Sequence, residues 1–152
     1  MVKLASVAKT FSTKDFDVEV LKDINIEVKK GEFLGILGRS GSGKSTLLNI
    51  IGLIDNPTSG FYYFKGEDII NISSKRQAYI RNKSIGYIFQ SFHLINDLNV
   101  IENVAMPLGY SGINKKDRLS RAKSLLRQVG LEDKICIYPL KLSGGEKQRV
   151  AI

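Results

Sequence analysis

The stretch that decides the fold is FLGILGRSGSGKSTLLNIIGLI, residues 33–54. It begins with a continuous apolar run, FLGILG (33–38), of the kind that a β-strand shows when both of its faces are covered. The glycine-rich octet GRSGSGKS (38–45) follows, and KSTLLNIIGLI (44–54) then carries apolar residues at helical spacing. A buried strand, a glycine-rich turn and a helix in this order predict an α/β core.

The octet matches the pattern G-x-x-x-x-G-K-[ST] in full. Gly41 and Gly43 allow the backbone to bend so that successive N–H groups point inward, where they can hold an anion. The helix that begins near Lys44 adds the positive end of its dipole, and the Lys44 ammonium reaches the outer phosphates of a nucleotide. Ser45 offers a hydroxyl to Mg²⁺, and Thr46 supports the phosphates beside it. We therefore predict a nucleotide site formed by Gly38, Arg39, Ser40, Gly41, Ser42, Gly43, Lys44, Ser45 and Thr46.

The composition describes an ordinary globular protein. The chain has 152 residues, of which 43% are hydrophobic, and no apolar stretch approaches the roughly 20 residues that span a bilayer. The N-terminal sequence MVKLASVAKTF lacks the apolar block of a signal peptide, so we expect a cytosolic protein. The single cysteine, Cys136, excludes a disulfide framework, and we expect it to be a small buried hydrophobe.

The positive charge is concentrated in the last quarter of the chain. Residues 114–152 hold ten Lys or Arg against four Asp or Glu, within a net charge of +8 for the whole chain. A basic segment can face nucleic acid, anionic lipid or water. The helix predicted from Asn114 to Val129 places most of its cations away from its apolar face, which favours water and weakens the nucleic-acid interpretation.

The remaining patterns predict an antiparallel β part followed by helices. Alternating patterns predict strands in VKLASV and INIEVKKGE, and FYYF is also predicted to be a strand. A second largely apolar strand is predicted in KSIGYIFQ (83–90), and it ends at Gln90. From Val100 onward the pattern is helical, with Gly130 as the C-terminal stop of the best helix.

Three single residues leave alternatives open. Gln90 ends a predicted strand, so its carboxamide could ligate Mg²⁺ or orient a water molecule, although a glutamine at such a place usually has no special role. Phe11 is either a core aromatic or a platform for a base. His93, alone in a loop, is expected to be a surface histidine.

A second glycine pair begins the last predicted helix in LSGGEKQRVAI, residues 142–152. Ser143 is a good N-cap, and two glycines allow close approach, so this helix start could also hold an anion. One such site per chain is usual, and two in one chain need an explanation.

The chain resembles the ATP-binding subunit of an ABC transporter in three motifs that occur in this order: GRSGSGKST, FQ and LSGGEKQRVAI. The resemblance covers the whole chain. Within the family, the resemblance is closest to the macrolide-export and lipoprotein-release type, and two stretches carry it, LLNIIGLIDNPTSG and IGYIFQSFHLINDLNVIENVAMPL. It implies a P-loop core with an N-terminal antiparallel β part in residues 1–95, a helical subdomain in residues 96–143 and the start of the signature helix in residues 144–152.

The resemblance also implies roles for residues that the pattern alone leaves open. Phe11 would stack on adenine, and Gln90 would touch Mg²⁺ and sense the membrane partner. The signature residues would cap the γ-phosphate bound to the opposite subunit of a head-to-tail dimer; they are Ser143, Gly144, Gly145 and Glu146. The implied ligands are ATP and Mg²⁺. The implied partners are a second ATP-binding subunit, as a homodimer, and a transmembrane permease, with no nucleic acid. The implied location of the chain is the cytoplasm, peripheral on the inner face of the cell membrane.

The resemblance has one departure. The family continues beyond the signature helix with an aspartate-ended strand, a catalytic glutamate and a switch histidine, and we expect a chain without them to be a fragment with slow or absent ATP hydrolysis. We also expect an exposed apolar edge at FLGILG and a tendency to aggregate. Two alternatives stay open: a soluble ABC protein acting in translation or on nucleic acid, and a truncated product that only binds nucleotide.

Overall fold

The computed structural model describes residues 1–152 and divides into two compact units, residues 1–81 and 82–152. The first unit contains four strands and one complete helix, and a second helix, Ser74–Ser84, runs across the division. The second unit contains three further α-helices and two short 3-10 helices. Antiparallel strands and helices occur together, as the α/β prediction requires.

The first unit is built on an antiparallel sheet of four strands in the order β2-β1-β3-β4. The strands are β1 (Val2–Ser12), β2 (Asp17–Val28), β3 (Ser59–Phe64) and β4 (Glu67–Asp68). The first two form a long hairpin in which Val2 pairs with Val28 and Ser12 pairs with Asp17. The predictions of strands from VKLASV and FYYF are confirmed, and that from INIEVKKGE is confirmed as far as Val28, where β2 ends.

Two helices accompany the sheet, α1 (Lys44–Ile51) and α2 (Ser74–Ser84). The core of the unit combines one face of the sheet with α1, and its buried side chains include Leu4, Val7, Leu21, Leu47, Ile50 and Tyr62. The Tyr62 hydroxyl donates a 2.7 Å hydrogen bond to the Ile51 carbonyl, and burial raises the pKa of this phenol. Helix α1, which begins inside the glycine-rich octet, is therefore held against the sheet at its C-terminal end.

The predicted buried strand FLGILG is not a strand in the structure. Residues 33–40 have no regular secondary structure, and the side chains of Phe33 and Leu37 are 96% and 95% exposed. The prediction for residues 83–90 is likewise wrong, since residues 85–89 join no sheet and Gln90 lies in a turn. A strand is stabilised by hydrogen bonds to neighbouring strands, and the single sheet of this chain pairs only β1 to β4.

The second unit is helical. It contains α3 (Val100–Tyr110), α4 (Lys115–Gln128), α5 (Gly144–Ala151) and the 3-10 helices Glu132–Lys134 and Pro139–Lys141. Its core is a cluster of five buried side chains, Val100, Leu126, Leu131, Leu142 and Val150. None of the helices is both long enough and apolar enough to cross a membrane.

Helix α4 confirms the helix that the sequence predicts most clearly. Asn114 is its N-cap and accepts a hydrogen bond from the Asp117 backbone N–H at 3.0 Å. Gly130 follows with φ of +69°, the left-handed conformation that ends helices. The lysines and arginines of α4 lie mainly on its exposed side, as predicted.

The prediction that Cys136 is buried is wrong. Cys136 is exposed, because it lies in the irregular segment between the two 3-10 helices.

Candidate functional site

The glycine-rich octet forms a closed loop around the ammonium group of Lys44. The Lys44 Nζ donates hydrogen bonds to the carbonyl oxygens of Gly38 at 2.9 Å and Arg39 at 2.5 Å, both within the same loop. The backbone N–H of Ser42 donates to the Arg39 carbonyl at 3.3 Å, which closes the turn. The loop therefore places one positive charge among its own backbone groups, next to the first turn of α1.

Two glycines adopt conformations that the loop requires. Gly41 has φ of +79° and Gly43 has φ of +86°, both in the left-handed region that other residues rarely adopt. Gly43 is also the N-cap of α1, and a Cβ at this position would lie 2.8 Å from the Leu21 Cδ2 atom. The prediction that these glycines shape the loop is consistent with both observations, because a side chain would be strained at Gly41 and strained and crowded at Gly43.

The hydroxyl of Ser45 is accessible at the start of α1. Ser45 is exposed, Thr46 is half-buried, and the first turn of the helix contains no acidic residue. The chain contains no cluster of three or more His, Cys, Asp or Glu side chains that could hold a metal ion by themselves. Mg²⁺ uses few protein ligands together with substrate phosphates, and in loops with the pattern G-x-x-x-x-G-K-[ST] one of these ligands is the Ser or Thr hydroxyl, so the exposed Ser45 fits this ion.

Phe11 lies on the strand next to the one that the loop contacts. Gly43 packs against Leu21 of β2, and Leu21 pairs with Lys9 of β1. Phe11 is two residues further along β1, a distance of about 7 Å at the usual rise of a strand. Phe11 is 43% exposed. Phe11 and the loop therefore belong to the same unit, and the loop contacts the sheet close to Phe11. A nucleotide site that includes both requires this proximity.

Lys9 is a contact of Phe11 that the sequence pattern does not single out. The Lys9 Nζ lies over the Phe11 ring, 4.9 Å from the ring centroid. The sequence offers one signal for this contact. Side chains two residues apart in a strand point to the same face, so residues 9 and 11 are neighbours on one face of β1.

Gln90 and the residues after it belong to the second unit. Gln90 is exposed in the turn at residues 90–91, and the next two residues, Phe92 and His93, both have positive φ, +60° and +51°. The His93 ring is exposed, as predicted, and lies 4.5 Å from the ring centroid of Phe89. The predicted role of Gln90 as a Mg²⁺ ligand stays a prediction.

The signature residues form a capped helix start. Ser143 is the N-cap of α5, and its hydroxyl donates to the Glu146 carboxylate at 2.9 Å while its backbone N–H donates to the same carboxylate at 2.8 Å. Gly144 and Gly145 form the exposed first turn. The Ser143 hydroxyl thus already has a partner within the helix, which the serine-glycine pattern does not reveal.

The Glu146 carboxylate is stabilised in its charged form. The hydrogen bond from the Ser143 backbone, then that from its hydroxyl, and the nearby charges of Lys134 and Arg149 hold the pKa of Glu146 below its ordinary value of 4.5. A carboxyl whose folded pKa is lowered contributes stability above its unfolded pKa, and this contribution is lost as the pH falls through the folded pKa.

We expect the unfolding free energy of the wild-type chain to fall more steeply below about pH 4.5 than that of the Glu146→Gln variant. Glutamine can accept the same two hydrogen bonds but does not titrate, so it removes only the pH dependence of this cap. Urea unfolding at a series of pH values between neutral and acid, followed by circular dichroism, measures the difference. Parallel curves for the two proteins would contradict the assigned role of the Glu146 carboxylate.

Comparison with known proteins identifies the family. The sequence profile of the ABC transporter family matches residues 21–152, which include the glycine-rich loop, Gln90 and the signature residues. The chain belongs to the ABC transporter family. The resemblance that the sequence motifs suggest is thereby confirmed.

Several curated relatives align with the whole chain. The chain is 48% identical to the ABC transporter ATP-binding protein YknY of Bacillus subtilis over 152 residues, and it spans 66% of the length of that protein. It is 47% identical to the lipoprotein-releasing system ATP-binding protein LolD of Shewanella denitrificans, and it spans 65% of that protein. It is 43% identical to the macrolide export ATP-binding/permease protein MacB of Escherichia coli, of which it spans 24%.

The fold is also that of a known ATP-binding cassette. The cassette MJ0796, solved as a dimer bound to ADP and Pi, superposes with a TM-score of 0.91 at 41% sequence identity. The alignment covers 99% of this chain and 67% of the cassette. The chain therefore has the α/β architecture of part of an ABC ATPase.

Proposed function

We propose that this chain is the nucleotide-binding part of an ABC transporter ATPase and that it binds ATP at residues 38–46. The observation that carries the proposal is the Lys44 ammonium, held at the start of α1 inside a loop in which Gly41 and Gly43 have positive φ. Backbone N–H groups, a helix N-terminus and one lysine form an arrangement suited to the phosphates of a nucleotide. Phe11 supplies an exposed aromatic surface for the base.

The residues of the loop bind and orient the phosphates. The Lys44 ammonium can move from the Gly38 and Arg39 carbonyls to phosphate oxygens, which carry full negative charge and are stronger acceptors. The Ser45 hydroxyl would hold Mg²⁺ together with those phosphates, and the ion would neutralise part of their charge. The resemblance assigns Gln90 to the same ion.

The signature residues act on a second copy of the subunit in this proposal. Ser143, Gly144 and Gly145 are exposed and Glu146 is half-buried at the start of α5. This helix start suits contact with the γ-phosphate held by the loop of the partner in a head-to-tail homodimer. Support comes from the dimeric form in which the MJ0796 cassette was solved with ADP and Pi.

The whole assembly would use ATP binding and hydrolysis to drive a transmembrane permease. The relatives named for macrolide export and lipoprotein release support export of a peptide, a drug or a lipid-linked cargo. In this arrangement the chain lies in the cytoplasm, on the inner face of the membrane, and contacts the permease rather than nucleic acid.

The proposed site predicts a dependence on the number of phosphates. In calorimetric titrations of the chain we expect ATP and ADP to bind at least about tenfold more tightly than AMP, because only they reach Lys44 with a second charged group. Omitting Mg²⁺ should weaken ATP binding, and adenosine alone should bind weakly through the base. Equal affinities for ATP and AMP would show that the loop does not hold the phosphates.

A further inference from the structure

Lys9 is held in one place by the loop that follows α1. Its side chain is 13% exposed, and its Nζ donates to the Asp55 carboxylate at 2.8 Å and to the Asn56 carbonyl at 2.7 Å. A lysine on a sheet surface usually keeps a mobile ammonium in water, with considerable side-chain entropy. Here two acceptors 46 and 47 residues away in sequence fix the ammonium.

The same loop is attached to the helix that begins at Lys44. The backbone N–H groups of Ile54 and Asp55 both donate to the Asn49 carbonyl of α1, at 2.8 and 3.2 Å. Asp55 is therefore a fixed extension of α1 rather than part of a free loop. A chain of contacts runs from the phosphate loop along α1 to Asp55, and from Asp55 to Lys9.

The fixed ammonium lies over the ring of Phe11, 4.9 Å from its centroid. A cation at this distance is attracted to the face of the ring and covers it. Phe11 nevertheless remains 43% exposed, which leaves surface for a second contact. Because the ring is held on one side, less side-chain freedom is lost when a flat group stacks on the other side.

We propose that Lys9 is a positioning residue of the nucleotide site: it fixes the Phe11 ring, closes one face of it and sets its place relative to the phosphate loop. A nucleobase then stacks on the opposite face only. This inference rests on the proposed binding of ATP at residues 38–46. Lys9 and Asp55 then link the base platform to the phosphate loop.

The test separates the base from the phosphates by comparing ATP with inorganic tripolyphosphate. Both ligands bind the phosphate loop, but only ATP has a base, so the ratio of their affinities measures the contribution of stacking. We expect the Lys9→Met variant to lower this ratio by about three- to fivefold. Binding of tripolyphosphate should change little beyond the loss of one positive charge.

The control is Lys65→Met. The Lys65 Nζ also lies over a phenylalanine ring, 5.2 Å from the centroid of Phe64, and its removal subtracts the same charge from the same unit. The affinity ratio should stay at its wild-type value in this variant. Lys9→Arg keeps the cation and the contact with Asp55, so it should retain most of the ratio.

A double-mutant cycle distinguishes positioning from a general loss of stability. In a Phe11→Ala background, Lys9→Met should have no further effect on the ratio, because the ring through which it acts is absent. If Lys9→Met fails to fold, Asp55→Asn replaces it, since it weakens the hold on the ammonium while leaving Lys9 in place. It should lower the ratio in the same direction by a smaller factor.

Two results would overturn the inference alone: an unchanged ratio in the Lys9 or Asp55 variant, or an equal fall with and without the Phe11 ring. A wild-type chain that binds neither ATP nor tripolyphosphate would overturn the proposed function, and the role of Lys9 with it. The tripolyphosphate titration therefore tells the two failures apart.

Discussion

Replacing Lys44 with alanine should weaken ATP binding by about a hundredfold or more. The Lys44 ammonium is the cation that the loop holds among its own carbonyls, 2.9 and 2.5 Å from the oxygens of Gly38 and Arg39. A hydrogen bond to a charged group contributes about 1.5–3 kcal/mol, so two such bonds to phosphate oxygens are worth about 3–6 kcal/mol. Each 1.4 kcal/mol corresponds to about a factor of ten in affinity.

Isothermal titration calorimetry of the wild type and of Lys44→Ala, each shown by circular dichroism to be folded, measures this loss. Lys30→Ala is the matched control, since it removes the same charge from an exposed turn outside the loop. Equal ATP affinity in the wild type and Lys44→Ala would refute the assignment of the loop.

Phe11→Ala should weaken ATP binding less, by about tenfold, because it removes one stacking surface of roughly 1–1.5 kcal/mol and leaves the phosphate contacts in place.

The parts of the fold that the sequence predicts are those set by local rules. The helix start at Lys44 follows from the glycine-rich turn before it, and α4 follows from its apolar spacing, its Asn114 cap and Gly130. The strands of the β1–β2 hairpin follow from their alternation. Each of these signals depends on residues within a few positions of one another, so no knowledge of the tertiary structure is needed.

The parts that the sequence does not predict depend on distant neighbours. The sequence does not predict helix α2 (Ser74–Ser84), because the only buried residue of this helix is Ile80 and it has no apolar stripe. The contact of Lys9 with Asp55 joins residues far apart in the chain and requires the path of the loop after α1. The residues of the phosphate loop lie in one local motif that the sequence shows directly, whereas the contacts that position Phe11 and Lys9 depend on the tertiary structure.

The apolar run at residues 33–38 shows the same limit and has a measurable consequence. A continuous apolar pattern indicates that both faces of a segment favour contact with other apolar groups, but it does not supply the strands that would cover them. In the structure the side chains of Phe33 and Leu37 are 96% and 95% exposed, and that of Leu34 is 46% exposed. Three apolar side chains within five residues form an exposed patch next to unpaired backbone, which favours association between chains.

We expect the Phe33→Asp/Leu37→Asp double variant to raise the concentration at which the chain self-associates by at least about tenfold. Burying a large apolar side chain in a contact between chains contributes about 1.5–3 kcal/mol to the free energy of association. Replacing two such side chains with aspartate should therefore weaken the association by more than about a factor of ten. Both positions are almost fully exposed, so the substitutions should leave the thermal unfolding temperature of each chain nearly unchanged. The control is Tyr110→Asp/Leu140→Asp, which changes side chains that are 79% and 75% exposed and lie in different elements of the second unit. Sedimentation velocity over a range of concentrations measures the result, and association of the double variant at the wild-type concentration would show that another surface holds the chains together.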